Sequence, residues 1–344
     1  MGRLPHTGRP LVAGWSAPPP RRPAALLLVI HLLFTGGTIS MQRDAAVGGN
    51  VPAHGGAALV ALAPGIERIA PFRIEDWARM PACHLDQGRL WALRERVRAI
   101  AESGEVRGIV VTHGTDVLEE TAYLLDRTLD PELPVALTGA MRTSSDTAWD
   151  GPRNLRDAVA VAASGESRGR GAVVVFNGAI FAGRSAAKTH ATDVAAFSAP
   201  HAGPMGRVED GRVVYTGRDG ARPAPVAAAG LGARVALVPA VVGDDGRMLD
   251  LARPEHDGVV LEAFGSGNVP PGLVPAIGRW LTEGKPVVLA SRCAFGEVTP
   301  AYAFEGGGAR LMAMGVTPAG PRTPSQARME LTIALSAGVP YGEP

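Results

Sequence analysis

The chain has 344 residues, 46% hydrophobic and 19% charged, with a formal net charge of +1. That length supports two compact domains, and the near-neutral balance gives no electrostatic footprint for nucleic acid or an anionic membrane surface. The two cysteines, Cys83 and Cys293, lie far apart and outside any zinc-like spacing, which points to reduced thiols rather than a disulfide framework.

In chain order, residues 1–23 (MGRLPHTGRPLVAGWSAPPPRRP) read as a disordered or mis-assigned extension rich in Pro, Arg and Gly. Arg21 and Arg22 followed by AALLLVIHLLF imitate a secretory leader. No small-x-small cleavage site follows, and the apolar run is too short to span a bilayer. A buried parallel strand over 25–34 and a cytoplasmic location are the expectation, with a processed leader as the alternative.

Further strands are expected over 106–112, 133–139, 171–177, 234–240, 258–264 and 286–292, and helices over 87–102, 117–129, 152–164, 271–283 and 324–337. Such alternation argues an α/β fold in which each domain is a largely parallel sheet flanked by helices. The low-pattern stretch 216–232 reads as a linker between a larger N-terminal domain over 24–215 and a smaller C-terminal one over 233–344. In parallel sheets, active residues collect in loops beyond the carboxyl ends of the strands.

Three such loops are rich in hydroxyls, acids and glycines: Thr35-Gly36-Gly37-Thr38, Thr112-His113-Gly114-Thr115-Asp116, and the long connection 138–155 (TGAMRTSSDTAWDGPRNL). Long connections are often functional. The first loop lacks the ending of a phosphate-binding P-loop and the third glycine of a dinucleotide fingerprint, and the residues after it are not helical in pattern. Asp116 and Glu119 have the spacing of a helix capping box, so Asp116 reads either as a cap or as a site residue. His113 reads as a core or loop histidine, and the eight histidines show no metal spacing. Lys188 lies among small uncharged residues, with Asp193 five positions on. It is either a solvated surface residue or, if buried beside a carboxylate, able to activate a hydroxyl.

Together the segments TGGTIS (35–40), VTHGTDVLEETAYLLD (111–126), LTGAMRTSSDTAWDGPRNLRDAV (137–159), FNGAIFAGRSAAKTHATDVAAFSAP (176–200) and FGSGN (264–268) resemble the bacterial L-asparaginases. These are amidohydrolases of the asparaginase/glutaminase type, and in order and spacing the resemblance covers nearly the whole chain from about residue 26. It implies Thr38 as the nucleophile and Thr115, Asp116 and Lys188 as a second catalytic group. Thr115 and Asp116 also touch the substrate, and Asp116 holds its α-amino group. Gly36, Gly37 and Gly114 would permit the close backbone approach of an oxyanion site. The resemblance implies L-asparagine hydrolysis, with weaker L-glutamine activity, by a homo-oligomer (dimer or tetramer) that needs neither cofactor nor metal. Asn268 matches an asparagine that relatives use near a neighbouring subunit's site.

This chain also departs from the family pattern. The lid region from Ser40 to about Leu62 has no tyrosine, and the chain's four are Tyr123, Tyr215, Tyr302 and Tyr341. Tyr302 falls near where many relatives place a glutamate. Ala82, followed by Cys83 and His84, stands where a carboxylate-binding serine is expected, and Asn177-Gly178 replaces an Asn-Asp pair. Two other functions therefore remain open. One is a catalytically weak amino-acid-binding homologue. The other is the amidase component of a transamidation system, whose known members carry an extra N-terminal domain.

Overall fold

The computed structural model describes residues 1–2, 28–129, 132–217 and 222–342. Most of the extension expected at 1–23, residues 25–27 of the first expected strand and 218–221 of the expected linker lie outside the described residues. Strand β1 (Val29–Gly36) is buried at all but its first position, which is why its sequence is a continuous apolar run rather than an alternating one. A short 3-10 turn over Thr38–Ser40 leads into a hairpin of β2 (Met41–Asp44) and β3 (Gly49–Pro52), followed by helix α1 (Gly56–Ala61). Then come β4 (Phe72–Met80), α2 (Gln87–Glu102), β5 (Val106–Thr112), α3 (Leu118–Thr128), β6 (Val135–Thr138), α4 (Gly151–Ala163) and β7 (Ala172–Phe176). The N-terminal part ends with β8 (Ala179–Ala182), the short pair β9 (Ala187–Lys188) and β10 (Phe197–Ser198), and the hairpin β11 (Gly206–Glu209) and β12 (Arg212–Tyr215).

The main sheet runs β12-β11-β8-β7-β6-β5-β1-β4. It is parallel from β7 to β4 and antiparallel from β7 outward to β12. Asn177-Gly178 forms the two-residue turn between β7 and β8, with φ of 48° and 80°, the left-handed pair that such hairpin turns prefer. The chain leaves β1 on one side for β4 and crosses back to pair β5 on the other. The connections after β1 and β5 therefore run to opposite sides of the sheet and leave a crevice at the strand ends, the usual ligand position in such sheets. Strand β4 escaped the sequence reading because it is an edge strand with no fully buried residue, so FRIEDWARM lacks an apolar run.

The second sheet is wholly parallel in the order β13 (Val235–Pro239), β14 (Gly258–Ala263), β15 (Val287–Ser291) and β16 (Thr317–Pro318). It carries α5 (Arg247–Ala252), α6 (Val274–Thr282), α7 (Gly308–Ala313) and α8 (Pro324–Ala337). The helix expected over 271–283 is instead a 3-10 turn over Pro271–Leu273 followed by α6.

Helix α8 joins the two sheets. Leu90, Tyr123 and Leu124 pack with Met329 and Ile333, and Val226 and Leu231 of the intervening segment complete the cluster. Within it, the Arg127 guanidinium donates from Nε and Nη2 to the two carboxylate oxygens of buried Glu330, both at 2.9 Å. Tyr123 Oη donates to the same carboxylate at 2.9 Å. A bidentate pair with a third donor satisfies a charge that would otherwise be costly to bury.

Candidate active site

The crevice is built from glycines that let loops touch. Gly36 and Gly37 have φ of +107° and +85°. A Cβ on Gly36 would stand 2.6 Å from the Met80 backbone, and one on Gly37 would stand 2.3 Å from the Gly114 Cα. A Cβ on Gly114 would meet Ala82 Cβ at 2.6 Å, and one on Gly139 would meet the His113 carbonyl oxygen at 2.4 Å. No side chain fits at these four positions without backbone movement. They draw the loops after β1, β4, β5 and β6 into one cluster. Threonines stitch the strand ends beneath: Thr35 Oγ1 donates to the Thr112 carbonyl at 2.8 Å, and Thr138 Oγ1 donates to that of Val175 at 2.7 Å.

On the β5 side, Lys188 Nζ donates to Thr115 Oγ1 at 2.9 Å and to Asp116 Oδ1 at 3.0 Å. Thr115 is buried, Lys188 is largely covered, and Asp116 opens to solvent with 61% of its side chain exposed. The alternative of a solvated surface lysine is therefore corrected. So is the capping box. Val117 is the α3 N-cap and no side chain caps the helix, because the Asp116 carboxylate is turned to Lys188. Glu119 instead accepts the Lys188 backbone N–H at 2.6 Å.

His113 supports this loop from beneath. Its Nδ1–H donates to the Gly114 carbonyl at 2.7 Å and its Nε2 accepts from Thr121 Oγ1 at 3.0 Å. Complete burial lowers its pKa to about 4, so the ring is neutral.

On the β1 side, Thr38 is half-buried. Ser40 Oγ donates to the Gly37 carbonyl at 2.8 Å, while the Thr38 hydroxyl makes no hydrogen bond among the described residues. The β2–β3 hairpin beyond it is docked on the long 138–155 loop. Ser144 Oγ donates to the Met41 carbonyl at 3.1 Å and accepts from His54 Nε2 at 2.8 Å, and Arg43 N–H donates to Ser145 Oγ at 2.9 Å. Pattern reading missed Ser40, His54 and Ser144, whose roles come from contacts between distant segments.

Three tyrosines are committed elsewhere: Tyr123 to Glu330, Tyr215 Oη to Ser167 Oγ at 2.8 Å, and Tyr341 Oη to the Ala319 carbonyl at 3.1 Å. Tyr302 is exposed beside Phe304, with ring centroids 5.5 Å apart. Ala82 lies against Gly114 and presents no hydroxyl. Asn268 sits in the C-terminal loop after β14, bridged through its backbone to Phe264, and its buried Oδ1 has no hydrogen-bond partner among the described residues. It makes no hydrogen bond to Thr38, Thr115 or Lys188. Cys83 and Cys293 are exposed and unpaired. Among the described residues no helix is long and apolar enough to cross a membrane, and no cluster of His, Cys, Asp and Glu could hold a metal ion.

Chemically, an ammonium beside a buried hydroxyl stabilises an alkoxide or relays a proton. An exposed carboxylate held at one oxygen keeps the other for a cationic ligand group. Converging glycine backbones suit the charge that develops on an attacked carbonyl oxygen.

Comparison with known proteins agrees over nearly the full length. The family described as Asparaginase, N-terminal matches residues 29–219, and the Glutaminase/Asparaginase C-terminal domain matches 234–342. The chain is 38% identical over 315 residues to a probable L-asparaginase of Deinococcus radiodurans, covering 90% of this chain and 93% of that one. It is 32% identical to an L-asparaginase of Bacillus licheniformis, covering 90% and 95%. A crystal structure of a probable cytoplasmic L-asparaginase from Campylobacter jejuni superposes with a TM-score of 0.76 at 30% identity, covering 89% of this chain and 94% of that one.

Proposed function

Because the chain belongs to the asparaginase family and carries both of its domains, we propose that this amidohydrolase cleaves L-asparagine to L-aspartate and ammonia, with weaker action on L-glutamine. The observation that carries this reading is the Lys188 ammonium within hydrogen-bond distance of both Thr115 Oγ1 and Asp116 Oδ1. Asp116 holds the substrate's α-ammonium. Thr38 Oγ attacks the side-chain amide carbon, and backbone N–H groups near Gly36, Gly37 and Gly114 stabilise the oxyanion. The hydroxyl proton passes to the amide nitrogen, the C–N bond breaks and ammonia leaves. Water then adds to the β-acyl ester, its proton passing by way of the Thr115 and Lys188 pair to the Thr38 oxygen as the C–O bond breaks, which releases aspartate and restores Thr38.

A specific observation favours a second assignment of the nucleophile. Thr115 has an ammonium at its oxygen, whereas the Thr38 hydroxyl has no partner among the described residues and no lid tyrosine follows it. Mass spectrometry of a trapped acyl-enzyme separates the two, because the added acyl group lies either on the peptide with Thr38 or on that with Thr115.

We extend the reading to a cytoplasmic homo-oligomer in which the Asn268 loop faces a neighbouring subunit's cleft. Sedimentation of the purified protein as a monomer would remove that part. The central test is ammonia release from L-asparagine and L-glutamine by the wild type and Thr38→Ala. Robust release from asparagine that vanishes in the variant is expected. A folded wild type that binds aspartate but releases no ammonia would leave a binding homologue in place of an enzyme.

A further inference from the structure

Lys188 stands on an unusually slight support. Its strand β9 has two residues, is separate from the main sheet and pairs only with β10, with Phe197 opposite Lys188 and Ser198 opposite Ala187. A lysine carries its ammonium on a flexible four-carbon stem, so the position of Nζ follows the position and direction of its backbone. Such a short pair does not by itself fix that backbone.

Backbone hydrogen bonds hold its flanks, from Ala186 N–H to the Ala182 carbonyl at 2.9 Å and from Thr189 N–H to that of Ala196 at 2.8 Å, and two side chains from outside the strand complete the support. Glu119, in the first turn of α3, accepts the Lys188 N–H at 2.6 Å. Gln326, in the first turn of α8, is almost completely buried and its Nε2 donates to the Ala186 carbonyl at 3.0 Å. Gln326 is itself locked in a capping box: its backbone N–H donates to Thr323 Oγ1 at 3.3 Å, and its Oε1 accepts the Thr323 N–H at 3.1 Å. Arg328 on the same helix pairs with Glu120 at 3.2 Å.

We propose that Glu119 and Gln326 are positioning residues for Lys188, so that the last helix of the C-terminal domain sets the geometry of the N-terminal catalytic group of its own chain. Neither side chain contacts Thr115 or Asp116 by hydrogen bond, and both act through the backbone of residues 186–188. This rests on the catalytic role proposed above for Lys188. A displacement of about 1 Å at a catalytic group can cost on the order of 10²-fold in rate. Glutamine at 119 keeps an oxygen that can accept the Lys188 N–H, whereas methionine of similar length does not.

The test uses the full chain and the variants Glu119→Gln, Glu119→Met and Gln326→Met. Each is assayed for kcat and KM on L-asparagine and for thermal unfolding, and each is crystallised to measure the Lys188 Nζ to Thr115 Oγ1 distance. Glu119→Met and Gln326→Met are expected to lose about ten- to a hundredfold in kcat with KM within about threefold of wild type, and to lengthen that distance beyond hydrogen bonding. Glu119→Gln is expected to recover kcat to within about threefold. Folded methionine variants that keep both kcat and the 2.9 Å contact would overturn the proposal. So would a Glu119→Gln variant as slow as Glu119→Met. If Glu119→Met fails to fold, Gln326→Met decides through the same readouts. If the wild type hydrolyses no amide, the functional reading fails, while the distance in the variant crystals still decides the positioning.

Discussion

Thr38 and Thr115 follow neighbouring parallel strands and lie on loops whose glycine backbones touch, yet their surroundings are opposite. Thr115 is buried, bonded to Lys188, and supported by a neutral histidine beneath its loop. Thr38 is half-buried and without a hydrogen-bond partner among the described residues, followed by a hairpin that meets the rest of the molecule through Ser144, Ser145 and His54. A hydroxyl held against an ammonium has its electrostatics complete before substrate arrives. An unpaired hydroxyl depends on the substrate or the hairpin to complete it. Under the proposed function the contrast divides the labour: the β5 side would move protons and hold charge, and the β1 side would present the oxygen that forms the ester.

The largest effect that would break this division is at Thr38. Thr38→Ala is expected to lower kcat by about 10⁴-fold or more with folding intact, because removing the proposed nucleophile would end covalent catalysis. A loss below tenfold, measured as ammonia release, would transfer the nucleophile's role to Thr115. Lys188→Met comes next. Removing the proposed proton relay is expected to cost about 10²–10⁴-fold in kcat. A change confined to KM would show that Lys188 only binds.

His113 sharpens the comparison through stability. Its folded pKa of about 4 lies below the ordinary 6.5 because burial disfavours the charged ring. An unfolded chain therefore takes up a proton over that window and the folded one does not. Its contribution to stability is fully present above pH 6.5 and is lost as pH falls toward 4, on the order of 3 kcal/mol in total. Denaturant titrations between pH 7 and 4 should show this slope, and His113→Gln should remove that part of it.

The smallest effect is at the binding edge of the cleft. Ala82→Ser would return a hydroxyl next to Gly114, where the α-carboxylate of the substrate is expected. A hydrogen bond to a charged group contributes about 1.5–3 kcal/mol, so KM for L-asparagine should fall by about ten- to a hundredfold with little change in kcat. An unchanged KM would mean that backbone N–H groups or His84 already fill that role.

The supported half of the cleft was largely legible in the amino-acid sequence. THGTD and the lysine of KTHATD carry their chemistry in residue type and order, and α2 and α8 were bounded to the residue by their patterns. The site's supports were not. Glu119 imitated a capping-box residue because Asp-x-x-Glu before an apolar helix has the same spacing whichever way the carboxylates turn. Gln326 and Ser144 are ordinary polar residues in sequence, and each gains its role from a segment 90 or more residues away. The Asn177-Gly178 departure is a two-residue hairpin turn, a local feature whose position beside β7 only the pairing reveals.

The sequence by itself determined the alternation of strands and helices, the loops that bear the chemistry and the family, because periodicity and short motifs are local properties. Tertiary structure alone decided that Lys188 meets Thr115 and Asp116 across more than seventy residues, that Thr38 stands unpaired, and that a C-terminal helix braces the lysine. Those are facts of distance and burial between remote segments, and they exist only once the glycine loops have closed and the two sheets have packed on α8.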